Sequence, residues 1–354
     1  LRIPYDSLTL AAVVAESRPL AGARLARILQ TDALTVVLGL DSDADRWLLV
    51  SADPTYARAH LIFRRPEGAV RPPRFCAELR RLLTGARVEF VRQRGLDRIL
   101  EIGLSSQTGD YQLVAEIMGK HSNVILVRSD RTVATAAKYV GLSKSRRPIL
   151  AGKPYEPPPF APKPSILQAV PGDDVRDFDG GSPFLAKLIA AGVPLEDVQA
   201  AIRDSRFGAF FSHGHGAYPM PLGTLGIPSL ARPSISLALE HAFSDLVTRD
   251  QTQAKRSLLL KQLARVLLAR EVALHEVRQS VEAAKNADRL QRYGQLTLAF
   301  QSRIAPGAAL LEAWDFDGRA VTVPLMPDLT PLVNAQRYFD KAKKAKNRAE
   351  RLVL

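Results

Sequence analysis

Cysteine is almost missing from this chain, with Cys76 standing alone among 354 residues. One thiol builds no intramolecular disulfide framework, no thiolate zinc finger and no iron–sulfur site. Its place between Phe75 and Ala77-Glu78-Leu79 reads as a buried helix position rather than a nucleophile. Long apolar runs are missing too. No stretch approaches the roughly 18 uncharged apolar residues of a membrane span, and the start shows no basic segment followed by an apolar one, so the expected location is the cytoplasm. Negative charge is in short supply: 36 Asp and Glu face 49 Lys and Arg, a formal net charge of +13. Such an excess favours a polyanionic partner, whose condensed counterions are released on binding. A basic surface with no particular ligand is the bland alternative.

A catalytic constellation is also lacking. Histidines stand at 60, 121, 213, 215, 241 and 275 without a His-Glu-x-x-His pattern. His213-Gly214-His215 is a weak metal signal, better read as a surface loop. Gly119-Lys120-His121-Ser122 sets a lysine beside a glycine but has no upstream glycine to complete a phosphate loop. We therefore expect no metal, no cofactor and no chemistry performed by the chain itself.

What is present is a globular composition, 46% apolar, in a chain long enough for two or three domains. Asp6-Ser7-Leu8 opens a capped helix. Strand patterns follow at 24–29, 34–38 and 47–51, with turns at Asp32, Asp41, Ser42 and Asp43; after Pro72-Pro73 comes a helix over 74–83. More strands fit 88–91, 99–104, 111–117 and 123–127, with hairpin turns at 107–110 and 128–131. This predicts an α+β domain of mostly antiparallel strands, packed sheet on sheet. Residues 141–164 change character: Pro148, Pro154, Pro157, Pro158, Pro159, Pro162 and Pro164 alternate with Lys144, Arg146, Arg147, Lys153 and Lys163. Prolines lack the donor that a central strand needs, so this reads as an extended connector whose basic groups face solvent or a phosphate backbone.

Short helices over 183–190 and 195–202, joined at Gly192-Val193-Pro194, fit a helix-hairpin-helix module, whereas 206–233 has little pattern. A long helix is expected from 234 to 284, with a separate shorter one near 287–300. Leu259, Leu263, Val266, Arg270, Ala273, Val277, Ser280 and Ala284 trace a coiled-coil seam. Its expected antiparallel mate is the final helix, through Ala335, Phe339, Ala342, Ala345, Ala349 and Leu352. Between them lies a β-like insert with Trp314, Phe316, Val321, Val323 and Leu325.

Two clusters draw attention as binding candidates. In the segment from Ala52 to His60, Tyr56 suits stacking on a nucleobase and Arg58 suits a phosphate, although a packed tyrosine corner reads the same. In Gly95-Leu96-Asp97-Arg98-Ile99, a charged pair follows a glycine turn, and the bland reading is a local salt bridge.

The phrases Ser51-Ala52-Asp53-Pro54-Thr55-Tyr56-Ala57-Arg58, Pro72-Pro73-Arg74-Phe75-Cys76, Gly95-Leu96-Asp97-Arg98-Ile99-Leu100 and Met118-Gly119-Lys120-His121-Ser122-Asn123 resemble, in order, the N-terminal domain of the NFACT family. That family includes fibronectin-binding protein A homologues and bacterial ribosome quality-control factors that tail stalled chains with alanine. Gly181-Ser182-Pro183-Phe184-Leu185-Ala186 is similar to its helix-hairpin-helix domain. Asn286-Ala287-Asp288, Arg292-Tyr293-Gly294 and Asn334-Ala335-Gln336-Arg337-Tyr338-Phe339 are similar to its middle coiled coil. The family's C-terminal RNA-binding domain has no counterpart in these residues.

The resemblance implies three domains: 1–164, a two-layer β domain like that of formamidopyrimidine DNA glycosylases with its proline-rich connector; 165–233, helix-hairpin-helix; and 234–354, a coiled coil with a tip insert at 287–332. It also implies binding of tRNA, alanyl-tRNA in particular, on large ribosomal subunits obstructed by peptidyl-tRNA, with tailing chemistry left to the ribosome. Residue by residue, Asp97 and Arg98 match the family's acidic-basic motif for tRNA engagement. Lys120 becomes a phosphate contact, and His121 and Asn123 belong to the same signature. Gly95 and Gly119 shape the backbone. Two other readings stay open. A DNA glycosylase or lyase needs a free N-terminal proline amine and usually a zinc finger, whereas Pro4 follows three residues and one cysteine builds no finger. A fibronectin-binding surface adhesin would need export, for which the sequence gives no signal.

Overall fold

The computed structural model describes residues 2–41, 46–69, 71–159, 161–315 and 317–351, and divides into two compact units, Leu1–Gln251 and Thr252–Leu354. Ser42, Asp43, Phe316, Leu352 and the side chain of Ala349, all used in the sequence reading, lie outside what is described.

In the first unit, helix α1 (Ser7–Ser17) starts where the Asp6 carboxylate accepts the Thr9 amide at 3.2 Å. Strands β1 (Arg24–Asp32), β2 (Thr35–Asp41), β3 (Trp47–Ser51) and β4 (Arg58–Ile62) form an antiparallel meander. Helix α2 (Arg74–Leu83) then leads into a second meander of β5 (Arg87–Gln93), β6 (Ile99–Ser106), β7 (Gly109–Glu116), β8 (Asn123–Arg128) and β9 (Val133–Ala136). The two meanders are one nine-stranded sheet, ordered β4-β3-β2-β1-β5-β6-β7-β8-β9. β1 meets β5 at a single residue pair, Arg24 opposite Arg87. With so little pairing at that join, the halves turn to face each other, and β3 and β8 come into contact. Leu38, Leu48 and Leu61 from one half then share a core with Leu104, Leu113 and Leu126 from the other, together with Leu10 of α1 and Phe75, Leu79 and Leu83 of α2. The layers expected of two sheets are thus made by one sheet. Each fully buried Leu contributes about 1.5–3 kcal/mol. Gly39 and Gly103 make room for the rings of Trp47 and Phe90, which stand directly opposite them on the neighbouring strands.

Strand β4, which takes in Arg58 and His60 of the 52–60 segment, was not among the expected strands. The connector after β9 is corrected as well. Its prolines keep it out of the sheet, but Ile149 and Tyr155 are buried against Ile99, Val114 and Ile125. Arg147 is no free cation, because its guanidinium clamps both oxygens of the buried Glu116, one of them at 3.0 Å. The Tyr155 hydroxyl also donates to Glu116, at 2.9 Å.

A second core gathers Ile3 and Leu8 with helices α3 (Pro183–Ala190) and α4 (Leu195–Asp204). The weakly patterned stretch that follows holds a small sheet of β10 (Phe210–Ser212), β11 (Gly216–Tyr218) and β12 (Leu230–Ala231), ordered β11-β10-β12. Helix α5 (Ile235–Ala299) begins under a carboxylate from far away in sequence, with Glu16 accepting the amides of Ile235 and Ser236.

α5 is one helix of 65 residues, so the expected break between 284 and 287 is absent from it. Nothing in the sequence enforces a break: no proline lies between Pro233 and Pro306, and Gly294 is a packing glycine seated against the Phe339 ring. In the second unit, β13 (Leu310–Trp314) and β14 (Ala320–Pro324) form an antiparallel hairpin, whose Leu311, Ala313 and Val323 pack with Leu296. Helix α6 (Pro331–Arg351) buries Ala335 and Ala342. Lys344 and Ala345 of α6 share a groove with His275 and Gln279 of α5. Of the expected seam only Ser280 is buried: Leu259, Leu263, Val266 and Val277 stay 52–64% exposed and Ala284 is exposed as well, whereas Ala287, outside that seam, is buried. The reason is length. α6 ends at Arg351, and its Phe339 already sits against Gly294, so only about twelve residues of it remain to run back along its antiparallel neighbour.

Candidate functional site

Three of the four motif segments meet in the first unit. Between β5 and β6 the chain turns at Gly95, whose φ of +57° suits glycine. The turn is tied down on all sides: Leu96 N–H donates to Asp179 at 3.1 Å, and Gln93 Nε2 donates to the carbonyls of Asp97 at 2.8 Å and Ser7 at 3.0 Å. Asp97 Oδ1 accepts the backbone N–H of Arg98 at 2.7 Å. The local salt bridge is thus not the arrangement found. Among the described residues the Arg98 guanidinium forms no ion pair, and it is partly exposed.

The second segment, 117–123, is a short turn opened by Gly119 at φ +58° and fixed by Ser122 Oγ, which accepts Met118 N–H at 2.7 Å. Lys120 and His121 are exposed on it. Asn123 is buried and structural, its Oδ1 accepting the amides of Val124 (2.9 Å) and Lys138 (3.0 Å) and its Nδ2 donating to the Lys138 carbonyl (2.8 Å). The third segment, after β3, lies alongside: a Cβ added at Gly119 would sit 3.7 Å from the Pro54 carbonyl. Here Asp53 Oδ1 caps the turn by accepting the amides of Thr55 and Tyr56.

Tyr56 and Arg58 are both engaged within the protein. The Tyr56 hydroxyl donates to Asp250, and Arg2 lies 5.2 Å from the Tyr56 ring centroid. Arg58 donates to the Tyr56 carbonyl at 2.9 Å and stands 4.5 Å from the Phe243 ring centroid. Burial lowers the Arg58 guanidinium to about 10, so it stays cationic at neutral pH. Burial, helped by the Arg58 charge, drops His60 to about 3 and keeps it neutral. The fourth segment does not enter the site, because Phe75 and Cys76 are core residues and burial pushes the Cys76 thiol up, away from nucleophilic use. His213 is held by Asp245 at 2.8 Å.

Beside the Asp97-Arg98 turn opens a cleft of about 660 Å³, edged by four cations, Arg2, Arg98, Lys163 and Lys187. Three carboxylates also line it, but each faces inward. Asp97 serves the Arg98 amide and Asp179 the Leu96 amide. Asp6 takes the hydroxyls of Ser182 at 2.6 Å and Tyr218 at 2.9 Å, and burial raises its pKa. Each carboxylate thus has an internal donor; of the cations, Arg2 donates to the Thr55 carbonyl at 3.1 Å and Lys163 to the Arg176 carbonyl at 2.6 Å, and none of the four is in an ion pair among the described residues. Sequence reasoning missed Arg2 and Lys187. The local signal for Lys187 was present in Gly180-Gly181-Ser182-Pro183, where Ser182 caps α3 by accepting the Leu185 amide at 3.0 Å.

The first unit is thus an antiparallel sheet folded on itself, with a cleft edged by cations beside one of its turns. The family model for NFACT N-terminal and middle domains matches residues 6–180 and 213–353, and the chain belongs to that family. It is 29% identical over 365 residues to the Rqc2 homolog RqcH of Bacillus subtilis, covering 92% of this chain and 64% of that protein. It is 28% identical to the Rqc2 homolog RqcH of Streptococcus suis, covering 98% of this chain and 68% of the relative. The chain thus spans about two thirds of these relatives' length. Among solved structures, the N-terminal part of the fibronectin/fibrinogen-binding protein from Streptococcus suis superimposes with a TM-score of 0.61 at 27% identity, over 68% of this chain and all of that one. No helix among the described residues is long and apolar enough to cross a membrane.

Proposed function

We propose that this protein binds tRNA in the cleft beside Arg98 and works in ribosome-associated quality control. In this reading it holds tRNA, alanyl-tRNA in particular, on large subunits obstructed by peptidyl-tRNA and so supports C-terminal alanine tailing. The observation that carries the proposal is the charge arrangement of the cleft: Arg2, Arg98, Lys163 and Lys187 surround it, while Asp6, Asp97 and Asp179 are turned to internal donors. Four cations around one cleft, none of them in an ion pair among the described residues, suit a phosphate backbone. The names of the curated relatives, Rqc2 homologues, support the ribosomal setting.

Peptide-bond chemistry stays with the ribosome in this proposal. The protein contributes placement, since holding an aminoacyl-tRNA in position lowers the entropic cost of the next transfer. Co-sedimentation with large subunits carrying peptidyl-tRNA tests it. The parent chain should pellet with those subunits and retain tRNA, and the folded double variant Asp97→Ala/Arg98→Ala should lose the tRNA. Equal tRNA retention by both would remove the site from this role.

A second reading is favoured by the name of the Streptococcus suis structure, a fibronectin/fibrinogen-binding protein. Fibronectin binding that persists at high salt, where unspecific attraction to a +13 chain is screened, would support it.

A further inference from the structure

The hairpin that follows β9 lies outside the cleft, and none of its residues lines it. Val140 and Ile149 pair through both backbone hydrogen bonds, at 3.0 and 2.9 Å. Between them the chain reverses in a turn where the Gly141 carbonyl accepts the amides of Lys144 at 3.0 Å and Ser145 at 3.2 Å. The foot of the hairpin is fixed twice. Asn123 holds both backbone groups of Lys138, and Lys138 Nζ donates to the Ala52 carbonyl at 3.1 Å. Asn123 pairs with Glu116, and the next residue, Ile117, donates its amide to the Arg98 carbonyl at 2.9 Å. The hairpin therefore projects from a braced base at the same end of the sheet as the Arg98 turn.

Its side chains have one sign of charge. Residues 138–149 contain Lys138, Lys144, Arg146 and Arg147 and no carboxylate. Lys138 and Arg147 are engaged internally, on the Ala52 carbonyl and on Glu116. Lys144 and Arg146 are exposed, and neither is in an ion pair among the described residues. Beside them Leu142 is 75% exposed, and Tyr139 at the foot is 49% exposed. The Tyr139 hydroxyl lies 3.2 Å from Thr135 Oγ1, which fixes the edge of the ring. An outward leucine alone is ordinary on a protein surface. Joined to an outward ring and two unpaired cations on a braced hairpin, it suits a nucleic acid, whose phosphates take the cations and whose base faces take the apolar groups. Paired RNA hides its base faces, so the matching ligand is an unpaired stretch.

We propose that the 140–149 hairpin, with Tyr139 at its foot, is a second RNA contact that takes unpaired nucleotides: Lys144 and Arg146 meet phosphates, and Leu142 and Tyr139 meet base faces. The proposal rests on the RNA-binding reading above and extends it from the cleft to a separate surface. Unpaired RNA reaches this surface either as a loop of the tRNA or as part of the large subunit, and the chemistry is the same for both.

The experiment uses the full chain and four probes: a single-stranded RNA of about 12 nucleotides, the same sequence as a duplex, a tRNA transcript and vacant large subunits. Anisotropy reads the first three and pelleting the fourth. Leu142→Ala should weaken single-strand binding about fivefold and leave the duplex within about twofold. Lys144→Ala/Arg146→Ala should also weaken it, and reduce the slope of log affinity against log salt by about 1.4, or 0.7 per phosphate. The source is whichever of tRNA and large subunit loses affinity by the same factor in Leu142→Ala. Tyr139→Ala repeats the comparison where its thermal melt is normal; Leu142 decides otherwise, because so exposed a side chain leaves the core untouched. Single-strand binding unchanged in Leu142→Ala, an equal loss on the duplex, or a loss shared by neither tRNA nor subunit overturns the hairpin contact. Arg98→Ala separates the two sites. If it leaves tRNA affinity at the parental level while Leu142→Ala weakens single-strand binding, the cleft falls and the hairpin stands; the reverse pattern removes the hairpin alone. Absence of binding to all four probes at low salt removes both.

Discussion

The carboxylate of Asp97 accepts the backbone N–H of Arg98 at 2.7 Å, so two adjacent, oppositely charged side chains do not neutralise each other. Asp97 shapes the turn and Arg98 is left to face the cleft. The two should therefore respond differently to substitution. Arg98→Ala removes a charge, and tRNA affinity should fall by about tenfold, with the slope of log affinity against log salt reduced by about 0.9. Asp97→Asn keeps an acceptor oxygen for the Arg98 amide and should cost much less. Salt titrations of both variants check this; an Arg98→Ala slope equal to the parent's would remove Arg98 as a phosphate contact.

Arg147 was read from sequence as a linker cation, yet it is paired with Glu116, whose side chain is 2% exposed. Breaking a buried pair from one side leaves an uncompensated charge, at a cost of about 3–5 kcal/mol. Arg147→Met should lower stability by an amount near the bottom of that range, because Tyr155 still donates to Glu116. Its effect on tRNA affinity, measured where the variant is fully folded, should be negligible. Denaturant midpoints and binding curves separate the two. A variant of parental stability with weakened binding would restore the phosphate-facing reading.

These cases show where sequence is informative and where it is not. Helix α2 is legible to the residue, because Pro73 sets its start, Phe75, Leu79 and Leu83 mark its buried face, and Gly85 follows its end. Strands β6 to β8 are legible because apolar runs are punctuated by turn residues. Strand β4 is not, since its Arg58 and His60 look like surface residues and become inward-facing only through Phe243, nearly two hundred positions later. The same holds for the site. Asp97, Arg98 and Gly119 were found because motif and turn coincide locally. Arg2 reaches the cleft only through the tertiary fold, so no spacing reveals it, and Lys187 is announced only by the cap that starts its helix.

His60 gives a pH test. Its folded-state value of about 3 lies below the ordinary 6.5, so between those values the unfolded chain holds more protons than the folded one. Stability must then rise with pH across that window and be lost on acidification, by up to about 1.4 kcal/mol per pH unit for a single group. His60→Gln removes the titration. The stability difference between parent and variant should shrink as pH falls from 6.5 towards 4, and the subtraction cancels carboxylates common to both. Parallel pH profiles would show that His60 titrates normally.

Gly181 joins the Asp179 anchor to the Ser182 cap and has no room for a side chain. A Cβ added there would lie 1.7 Å from the Val175 carbonyl oxygen, a backbone atom that cannot rotate away. Gly181→Ala must therefore move either the 175–178 turn or the start of α3. Forcing a methyl group into packed structure costs roughly 1–3 kcal/mol, and a clash with backbone belongs at the upper end. The movement has a second consequence, because Ser182 donates to Asp6 and Asp179 accepts from Leu96, two contacts that hold the floor of the cleft and the Asp97-Arg98 turn. Gly181→Ala should thus weaken tRNA binding under conditions where it is still folded, although it changes no charge and its methyl is aimed at the Val175 carbonyl. Thermal melts paired with anisotropy at a temperature well below the midpoint make the comparison. If stability falls while affinity stays at the parental level, the turn holding Arg98 is independent of α3.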